Sequence, residues 1–511
     1  MNKLALPRVI VWIATVLGLG LAILLGRYAG QGNAKQIFLI FGFCFAVALF
    51  LFLGKNYWLL LIFSFSSSLP ALPFGGKTME LGELMGVACF VTYLVMVVFR
   101  KNNLRLITSD SLVLTALMAW IGIIYFLNPV GLAIFGAESV GVRGYFRILI
   151  GYLSFLVISN QNISERDVKW LLVIFVIGPF LALGWSFVDM TFLGGNGMGA
   201  TEAAEVSENE YTWHQALSGP AFAVSLFAFC KYGSRKIFSF NHPGLALLYV
   251  GCLVVALISG KRAVFATTLL VPVVVGLVRR EWDRVFVIGF FLALGLGILV
   301  MGHGTWFELP YRAQRAMANL PGDWDPEVKS MTEGGGDSFR ALMRELAWKR
   351  IEEHPIVGKG LGFSWQDVAG INPENYLQNI NVALALGNSW HNTWLGLWAD
   401  FGLPSVILYG IALLLYGWNL WRAYKLSSSE SNIRILTLML FVGFWFMLLR
   451  SYTSGSSNVL YTTGMYFGLG YALLNSLKNS NQKNGEVEAT KEQDVMLKPQ
   501  DTEVAKMESG L

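Results

Sequence analysis

Long apolar runs separated by short polar segments extend from residue 9 to residue 477. Each run is about 17 to 25 residues long, the length that an α-helix needs to cross the hydrocarbon core of a bilayer. The pattern therefore predicts about fourteen transmembrane helices. Their approximate cores are residues 9–26, 36–53, 57–74, 82–99, 111–127, 145–159, 169–189, 215–231, 244–260, 264–279, 285–302, 393–418, 434–450 and 457–477.

The predicted spans divide the chain into four parts. Residues 1–302 hold about eleven transmembrane helices and residues 393–477 hold about three. Between them, residues 303–392 form a large polar loop. The tail, residues 478–511, mixes charges with almost no large apolar side chains, so it cannot bury a core and is expected to be disordered.

Clusters of Lys and Arg predict the orientation of these helices. Under the span assignment they all fall on one side: "RKNNLR" (100–105), "KYGSRK" (231–236), "RREWDR" (279–284) and "WRAYK" (421–425). The positive-inside rule makes that side cytoplasmic, and both termini lie on it. The large loop is then extracytoplasmic.

The large loop contains a predicted helix, "DSFRALMRELAWKRIEEH" (337–354), which Pro355 ends. Phe339, Leu342, Met343 and Leu346 fall on one face of this helix. That apolar stripe is expected to rest on the membrane domain or at the lipid surface.

The composition agrees with a membrane protein. Of the 511 residues, 55% are hydrophobic and 14% charged, which is far less charge than a soluble domain of this size carries. The fold class is therefore an all-α polytopic membrane protein. The net charge of +5 has no nucleic-acid motif beside it, so we interpret it as loop charge and expect no nucleic-acid partner.

The four cysteines fall inside apolar segments without CxxC spacing, which predicts buried packing residues and no disulfide or zinc site. The outer loops contain no HExxH, DxD or paired-His pattern either, so no metal site is expected. The glycines of "GKGLGF" (358–363) lack the spacing of a nucleotide-binding loop, and a tight turn is favoured over a phosphate-binding loop.

Several cations lie at helix ends or in the loop on the predicted outer face. They are Arg143 and Arg147 at the sixth span, Lys261 and Arg262 in the hairpin between spans nine and ten, Arg340 and Arg344 in the loop helix, and Arg450 at the end of span thirteen. Such residues commonly extend to the lipid headgroups. Lys and Arg are normally depleted on this face, however. A lipid diphosphate would balance their positive charge, because a guanidinium group forms two parallel hydrogen bonds to phosphate oxygens. Both interpretations stay open.

His391 and Asn392 precede span twelve in "NSWHNTW". His391 is either an interfacial ring bonded to a backbone carbonyl or a general base, since only His has an ordinary pKa near the working pH. Asn392 and Trp390 could orient that ring or stack on a sugar, although Trp at a membrane interface is ordinarily an anchor.

Three stretches together resemble the O-antigen ligase and polymerase superfamily. They are "LISGKRAVFATTLLVPVVV" (257–275), "SFRALMRELAWKRIEEHPIVGKGLGFSW" (338–365) and "NSWHNTWLGLWADFGLPSVILY" (388–409). The first is similar to the family's Ser-x-Arg hairpin but has one extra residue, because Gly260 and Lys261 separate Ser259 from Arg262.

The resemblance implies a GT-C-like glycosyltransferase of the bacterial cytoplasmic (inner) membrane, without cofactor or metal, in lipopolysaccharide or exopolysaccharide biosynthesis. Its donor would be an undecaprenyl-diphosphate-linked glycan and its acceptor another glycan or a lipid A core. By position, His391 would activate the acceptor and Arg262 would hold the donor diphosphate. Arg143 is preferred over Arg147 as the family's earlier outer arginine. Arg340 and Arg344 are weaker candidates.

An inverting reaction is expected, because one base candidate and no carboxylate nucleophile are evident. One alternative is a transporter or flippase of lipid-linked saccharides, which should carry charges near mid-membrane in two matching halves. Charges within spans are scarce here, with Glu80 and Glu83 near the start of span four and Asp189 at the end of span seven. A non-catalytic scaffold is the other alternative.

Overall fold

The structure, a computed structural model, describes most of the chain between residues 54 and 496. The described ranges are 54–67, 72–74, 77–98, 111–128, 143–192, 216–330, 336–361, 390, 392–428, 431–451 and 456–496. The first two predicted spans, 9–26 and 36–53, lie outside the described residues, and so does His391.

The described part is almost entirely helical. After a short 3-10 helix (Gly54–Asn56), its elements are α1 (Trp58–Ser67), β1 (Leu72–Phe74), β2 (Lys77–Met79), α2 (Leu81–Val98), α3 (Leu112–Leu127), α4 (Arg143–Ser159), α5 (Glu165–Phe192), α6 (Ser218–Ile237), α7 (Pro243–Ile258), α8 (Arg262–Arg279), α9 (Trp282–Gly302), α10 (Tyr311–Met317), α11 (Pro326–Ser330), α12 (Gly336–Glu353), α13 (Thr393–Leu426), α14 (Asn432–Arg450) and α15 (Ser456–Met496). The two strands form an antiparallel hairpin that pairs Leu72 with Met79.

Six helices in the described ranges are long and apolar enough to cross a membrane: α2, α5, α8, α9, α13 and α14. The shorter apolar helices are α1, α3 and α7. The predicted all-α membrane fold is therefore confirmed. The total of about fourteen spans and the GT-C-like architecture stay predictions.

Two predicted boundaries differ from the structure. Span three was predicted over 57–74, but α1 ends at Ser67 and Pro73 lies in β1, since proline lacks the N–H that a continuing helix needs. The tail was predicted to be disordered from residue 478, whereas the structure continues α15 to Met496. That segment contains eight Glu, Lys and Gln residues, which favour helix.

Close helix packing in the core depends on glycines where α4 meets α15. A Cβ atom added at Gly151 would lie 2.7 Å from the Leu460 carbonyl oxygen, and one at Gly468 would lie 3.0 Å from Ile158 Cβ. Small residues let two membrane helices approach this closely. The contact packs α4, which carries two of the candidate arginines, against α15.

Contacts between helix ends sort these ends into two sides. At one side, Arg147 pairs with Glu83, Leu361 binds Tyr145, and Thr393 binds Ser451. At the other side, Arg235 pairs with Asp283, Ile163 binds Ser476, and Asn432 binds Glu165. This sorting follows the alternation of the predicted spans. We call the first side the loop end, because the described parts of the large loop lie there.

Candidate active site

Two arginines at the start of α4 face the start of α2. Arg147 binds Glu80 through Nη2 (2.6 Å to Oε1) and Glu83 through Nε (2.7 Å to Oε1). Arg143, one turn earlier, lies 3.9 Å from the same Glu83 oxygen. We call Glu80, Glu83, Arg143 and Arg147 the arginine–glutamate cluster. The sequence pointed to both arginines but treated the two carboxylates only as charges near the start of a span.

Glu83 is held by the local fold of α2 as well as by the arginines. Its Oε2 accepts a hydrogen bond from the backbone N–H of Glu80 (2.9 Å), three residues earlier. A glutamate at this position commonly caps the first turn in this way, and its charge is stabilised at the helix N-terminus. The cluster therefore has a carboxylate whose position is set before any ligand binds.

A second group of cations surrounds the start of α8. Gly260 takes a positive φ of +70° in the hairpin that precedes it, a conformation that glycine adopts without strain. Arg262 then donates from Nε to the Arg315 carbonyl oxygen (3.1 Å) and from Nη1 to Asn319 Oδ1 (2.8 Å). Lys261 beside it is exposed.

The partners of Arg262 lie in or next to α10, which adds two cations that the sequence did not single out. Arg312 lies against Gly260, within 3.7 Å of a Cβ atom added there. Burial lowers the pKa of Arg315, because desolvation disfavours the charged guanidinium. The hairpin and α10 together form a basic patch at the loop end, comprising Lys261, Arg262, Arg312 and Arg315.

The start of α13 is fixed by Asn392. Its side-chain Oδ1 accepts hydrogen bonds from the N–H groups of Trp394 (3.0 Å) and Leu395 (3.2 Å). This is a regular N-cap, in which a side chain satisfies N–H groups that have no partner within the helix. The structure thus gives the predicted substrate-binding residue Asn392 a structural task.

The same helix start packs on the end of α14. The Thr393 N–H donates to the Ser451 carbonyl oxygen (2.7 Å), and Trp394 Nε1 donates to Ser451 Oγ (2.9 Å). Arg450 precedes Ser451 at the end of α14, but its side chain is outside the description. His391 directly precedes Asn392 in the sequence, so the candidates His391 and Asn392 are adjacent at the start of α13 in the chain.

A buried ion pair joins the loop helix α12 to α13. Arg350 Nη1 lies 3.2 Å from Asp400 Oδ1, with 6% and 4% of the two side chains exposed. Trp390 Nε1 lies 3.0 and 3.1 Å from the two Asp400 oxygens, and the Arg350 guanidinium lies 5.4 Å from the Trp390 ring centre. We call these three residues the buried triad. Periodicity alone could not reveal it, because Arg350 and Asp400 are fifty positions apart.

The glycine segment after α12 is a tight turn, as predicted. Gly358 and Gly360 have φ values of +72° and +77°. The N–H groups of Lys359 and Gly360 donate to the carbonyl oxygens of Ala399 (3.1 Å) and Asp400 (2.7 Å). These N–H groups already bind carbonyl oxygens of α13, which does not fit a phosphate-binding loop.

The turn docks where α13 is interrupted. Gly402 breaks that helix with a φ of +76°. Leu403 N–H binds the Pro355 carbonyl oxygen (3.1 Å). The sequence predicted one continuous span over 393–418, so this interruption is a correction.

Tyr145 connects the turn to the arginine–glutamate cluster. Its hydroxyl accepts the Leu361 N–H (3.0 Å), and its ring packs edge-on against Phe401 at 6.0 Å. Tyr145 lies two residues after Arg143 in α4. The cluster, the glycine turn and the start of α13 therefore form one connected region of the loop end.

Two candidates in the loop helix are less informative. Arg344 is exposed in α12, and the Arg340 side chain is outside the description.

Three of the four cysteines, Cys89, Cys230 and Cys252, are buried and free, which confirms their predicted packing role. Within the described ranges, no group of three or more His, Cys, Asp or Glu side chains could hold a metal ion.

Comparison with known families supports the resemblance over one part of the chain. Residues 247–410 match the family model described as O-antigen ligase. Over this region, the match supports the resemblance to the O-antigen ligase/polymerase superfamily. The matched region runs from α7 into α13, and it contains Arg262, the large loop and the buried triad. Arg143 and Arg147 precede it. No curated protein matches the chain.

The superfamily supports a general function in glycan transfer at a membrane, with lipid-linked glycans and lipid A core as the general classes of partner. The helical fold agrees with that setting.

Proposed function

We propose that the protein transfers a glycan from an undecaprenyl-diphosphate carrier to a sugar hydroxyl at the outer face of the bacterial cytoplasmic membrane. The observation that carries the proposal is the gathering of cations at the loop end. The arginine–glutamate cluster and the basic patch both lie there, at the same end of the bundle as the start of α13. A diphosphate headgroup suits such a surface, because guanidinium groups bind phosphate oxygens with paired hydrogen bonds.

The reaction needs charge stabilisation at one group and proton removal at another. The acceptor oxygen forms a bond to the anomeric carbon while the bond from that carbon to the diphosphate oxygen breaks. Negative charge grows on the departing undecaprenyl diphosphate, and Arg262 and Arg143 stabilise it more in the transition state than in the ground state. His391 takes the proton from the acceptor hydroxyl. A single displacement of this kind inverts the anomeric centre.

In this scheme the arginines carry the charge that a divalent metal carries in many other sugar-diphosphate reactions. The donor also brings its own activated leaving group, so neither a nucleotide sugar nor a cofactor takes part. The proposal therefore includes a metal-independent reaction.

The family supports both a ligase and a polymerase, and the acceptor distinguishes them. The test supplies purified, reconstituted protein with an undecaprenyl-diphosphate oligosaccharide, alone or with lipid A core. Glycan joined to lipid A core identifies a ligase, and longer lipid-linked glycans identify a polymerase. Movement of intact donor across the bilayer without any transfer would contradict the proposal and favour the flippase alternative.

A further inference from the structure

The two carboxylates of the arginine–glutamate cluster occupy different environments. The side chain of Glu83 is 2% exposed, whereas that of Glu80 is 40% exposed, although both bind Arg147. A buried charge without its partners is costly, while a half-exposed carboxylate can exchange its partner for water at little cost. Of the two, Glu80 is therefore the one that can leave.

Glu83 has the contacts of a fixed group. It accepts hydrogen bonds from Arg147 Nε and from the backbone N–H of Glu80, and it lies 3.9 Å from Arg143 Nε. These contacts come from α4 and from the first turn of α2. Removing Glu83 from this position would break the cap of α2 and take a buried counter-charge away from both arginines.

Glu80 contacts a different nitrogen of the Arg147 guanidinium. Its Oε1 lies 2.6 Å from Arg147 Nη2, a charge-assisted hydrogen bond. Carboxylate and phosphate oxygens bind a guanidinium group with the same geometry, so Glu80 holds a position that a phosphate oxygen could take.

A buried hydroxyl against the first turn of α2 has an unused hydrogen-bonding group. Tyr461 is 5% exposed, and its hydroxyl packs against Gly82, between Glu80 and Glu83 in the sequence. Within the described part of the chain, this hydroxyl has no hydrogen-bond partner. An anion that replaced Glu80 would therefore enter a corner that offers an O–H group as well as a guanidinium.

We propose that Glu80 is a displaceable internal anion, which occupies on Arg147 the position of a diphosphate oxygen, and that Glu83 positions Arg147 throughout. The identity of the ligand, a lipid diphosphate, rests on the proposed function. Glu80 then makes the site selective, because a ligand must compete with a carboxylate already in place. A strongly charged diphosphate does so better than a singly charged headgroup.

Displacement of Glu80 affects binding more than chemistry. The diphosphate has to displace Glu80 both in the ground state and in the transition state. Replacing Glu80 therefore strengthens the binding of the two states equally. Removal should therefore lower the donor KM and leave kcat unchanged. If Glu80 only supported the fold, its replacement would instead lower kcat and thermal stability together.

The test measures ligand binding to the full-length protein in detergent at constant ionic strength. Wild type, Glu80→Gln and the control Glu308→Gln are each titrated with undecaprenyl diphosphate, inorganic diphosphate and undecaprenol. Glu308 is an exposed carboxylate at the loop end, so the control makes the same change in net charge outside the cluster. We expect Glu80→Gln to bind both diphosphates roughly two- to fivefold more tightly, the upper part of the range for a partly exposed ion pair.

The control and the neutral lipid decide the interpretation of this result. Glu308→Gln should bind like wild type, and undecaprenol should bind all three proteins equally. Tightening for the lipid diphosphate alone would still support displacement, with the lipid chain needed to reach the site. Unchanged diphosphate affinity in Glu80→Gln, or equal tightening in Glu308→Gln, would overturn the proposal.

A double-mutant cycle with Arg147→Ala tests whether Glu80 acts through Arg147. In the Arg147→Ala background, Glu80→Gln should no longer tighten diphosphate binding. The same tightening with and without Arg147 would overturn the proposal.

These binding measurements are independent of glycan transfer. A protein that binds diphosphate with the expected Glu80 effect but transfers no glycan would contradict the proposed function only. A protein that transfers glycan without any Glu80 effect on binding or KM would contradict this inference only.

Discussion

Arg350 in the loop helix α12 and Asp400 in α13 form an ion pair that is almost completely buried, with Nη1 3.2 Å from Oδ1. Trp390 closes the triad by donating to the same carboxylate. The large loop is thus attached by a charge pair to the helix whose start carries the His-Asn block. This attachment sets how the loop lies over the loop end of the bundle.

Removing one partner of this pair should strongly destabilise the protein. Arg350→Met leaves the Asp400 carboxylate buried without its counter-charge and should lower the free energy of unfolding by about 3–5 kcal/mol. The double variant Arg350→Met/Asp400→Leu removes both charges and should recover much of this loss. Thermal unfolding in detergent measures both effects.

An exposed pair in the same segment provides the control. Lys359 Nζ lies 3.6 Å from Glu353 Oε2, with 28% and 43% of the side chains exposed. Glu353→Gln should change the free energy of unfolding by no more than about 0.5 kcal/mol. An Arg350→Met variant as stable as Glu353→Gln would show that the buried pair does not hold the loop.

The interruption of α13 should depend on glycine at position 402. A Cβ atom there would collide with the backbone at Ile356, and the φ of +76° disfavours any residue with a side chain. Gly402→Ala should therefore lower the free energy of unfolding by about 1–3 kcal/mol or more. Gly410→Ala in the same helix is the matched control, because its Cβ would meet only Trp394 at 3.8 Å. Equal melting temperatures for the two variants would contradict the claim that the interruption of α13 requires glycine at position 402.

Variants of Asn392 separate its structural task from its predicted role in substrate binding. Asn392→Ala loses the cap of α13 and should destabilise the protein by about 1 kcal/mol, whereas Asn392→Asp keeps an acceptor and should be nearly as stable as wild type. The two melting temperatures test the cap. Glycan transfer by the stable Asn392→Asp variant then tests the role of the side-chain amide. A donor KM and a kcat equal to those of wild type would show that the amide does not bind substrate.

Local patterns predicted the helices well. The predicted core 264–279 corresponds to α8 (Arg262–Arg279), and the predicted loop helix 337–354 corresponds to α12 (Gly336–Glu353). These assignments succeed because apolar runs and helix ends are properties of neighbouring residues. The same reasoning predicted the tight turn at the glycines after α12.

The contacts that build the candidate site are not local, so the sequence did not reveal them. The carboxylate Glu83 meets Arg147 across 64 positions, and Arg350 meets Asp400 across 50 positions. Of the two arginines in these pairs, the sequence identified Arg147 as a candidate on the outer face but did not identify Arg350. A guanidinium and its distant counter-charge come together only when the helices pack, and no periodicity encodes which pair will meet.

Glycan transfer by site variants shows whether the His391 imidazole and the cations of the loop end perform the reaction. The rate of transfer from an undecaprenyl-diphosphate oligosaccharide is measured in proteoliposomes that contain equal amounts of inserted protein. His391→Ala should lower this rate by about 10²- to 10⁴-fold and Arg262→Ala by about a hundredfold or more, while Lys425→Ala, at the opposite end of the bundle, should transfer like wild type. Wild-type rates in both His391→Ala and Arg262→Ala would contradict the account.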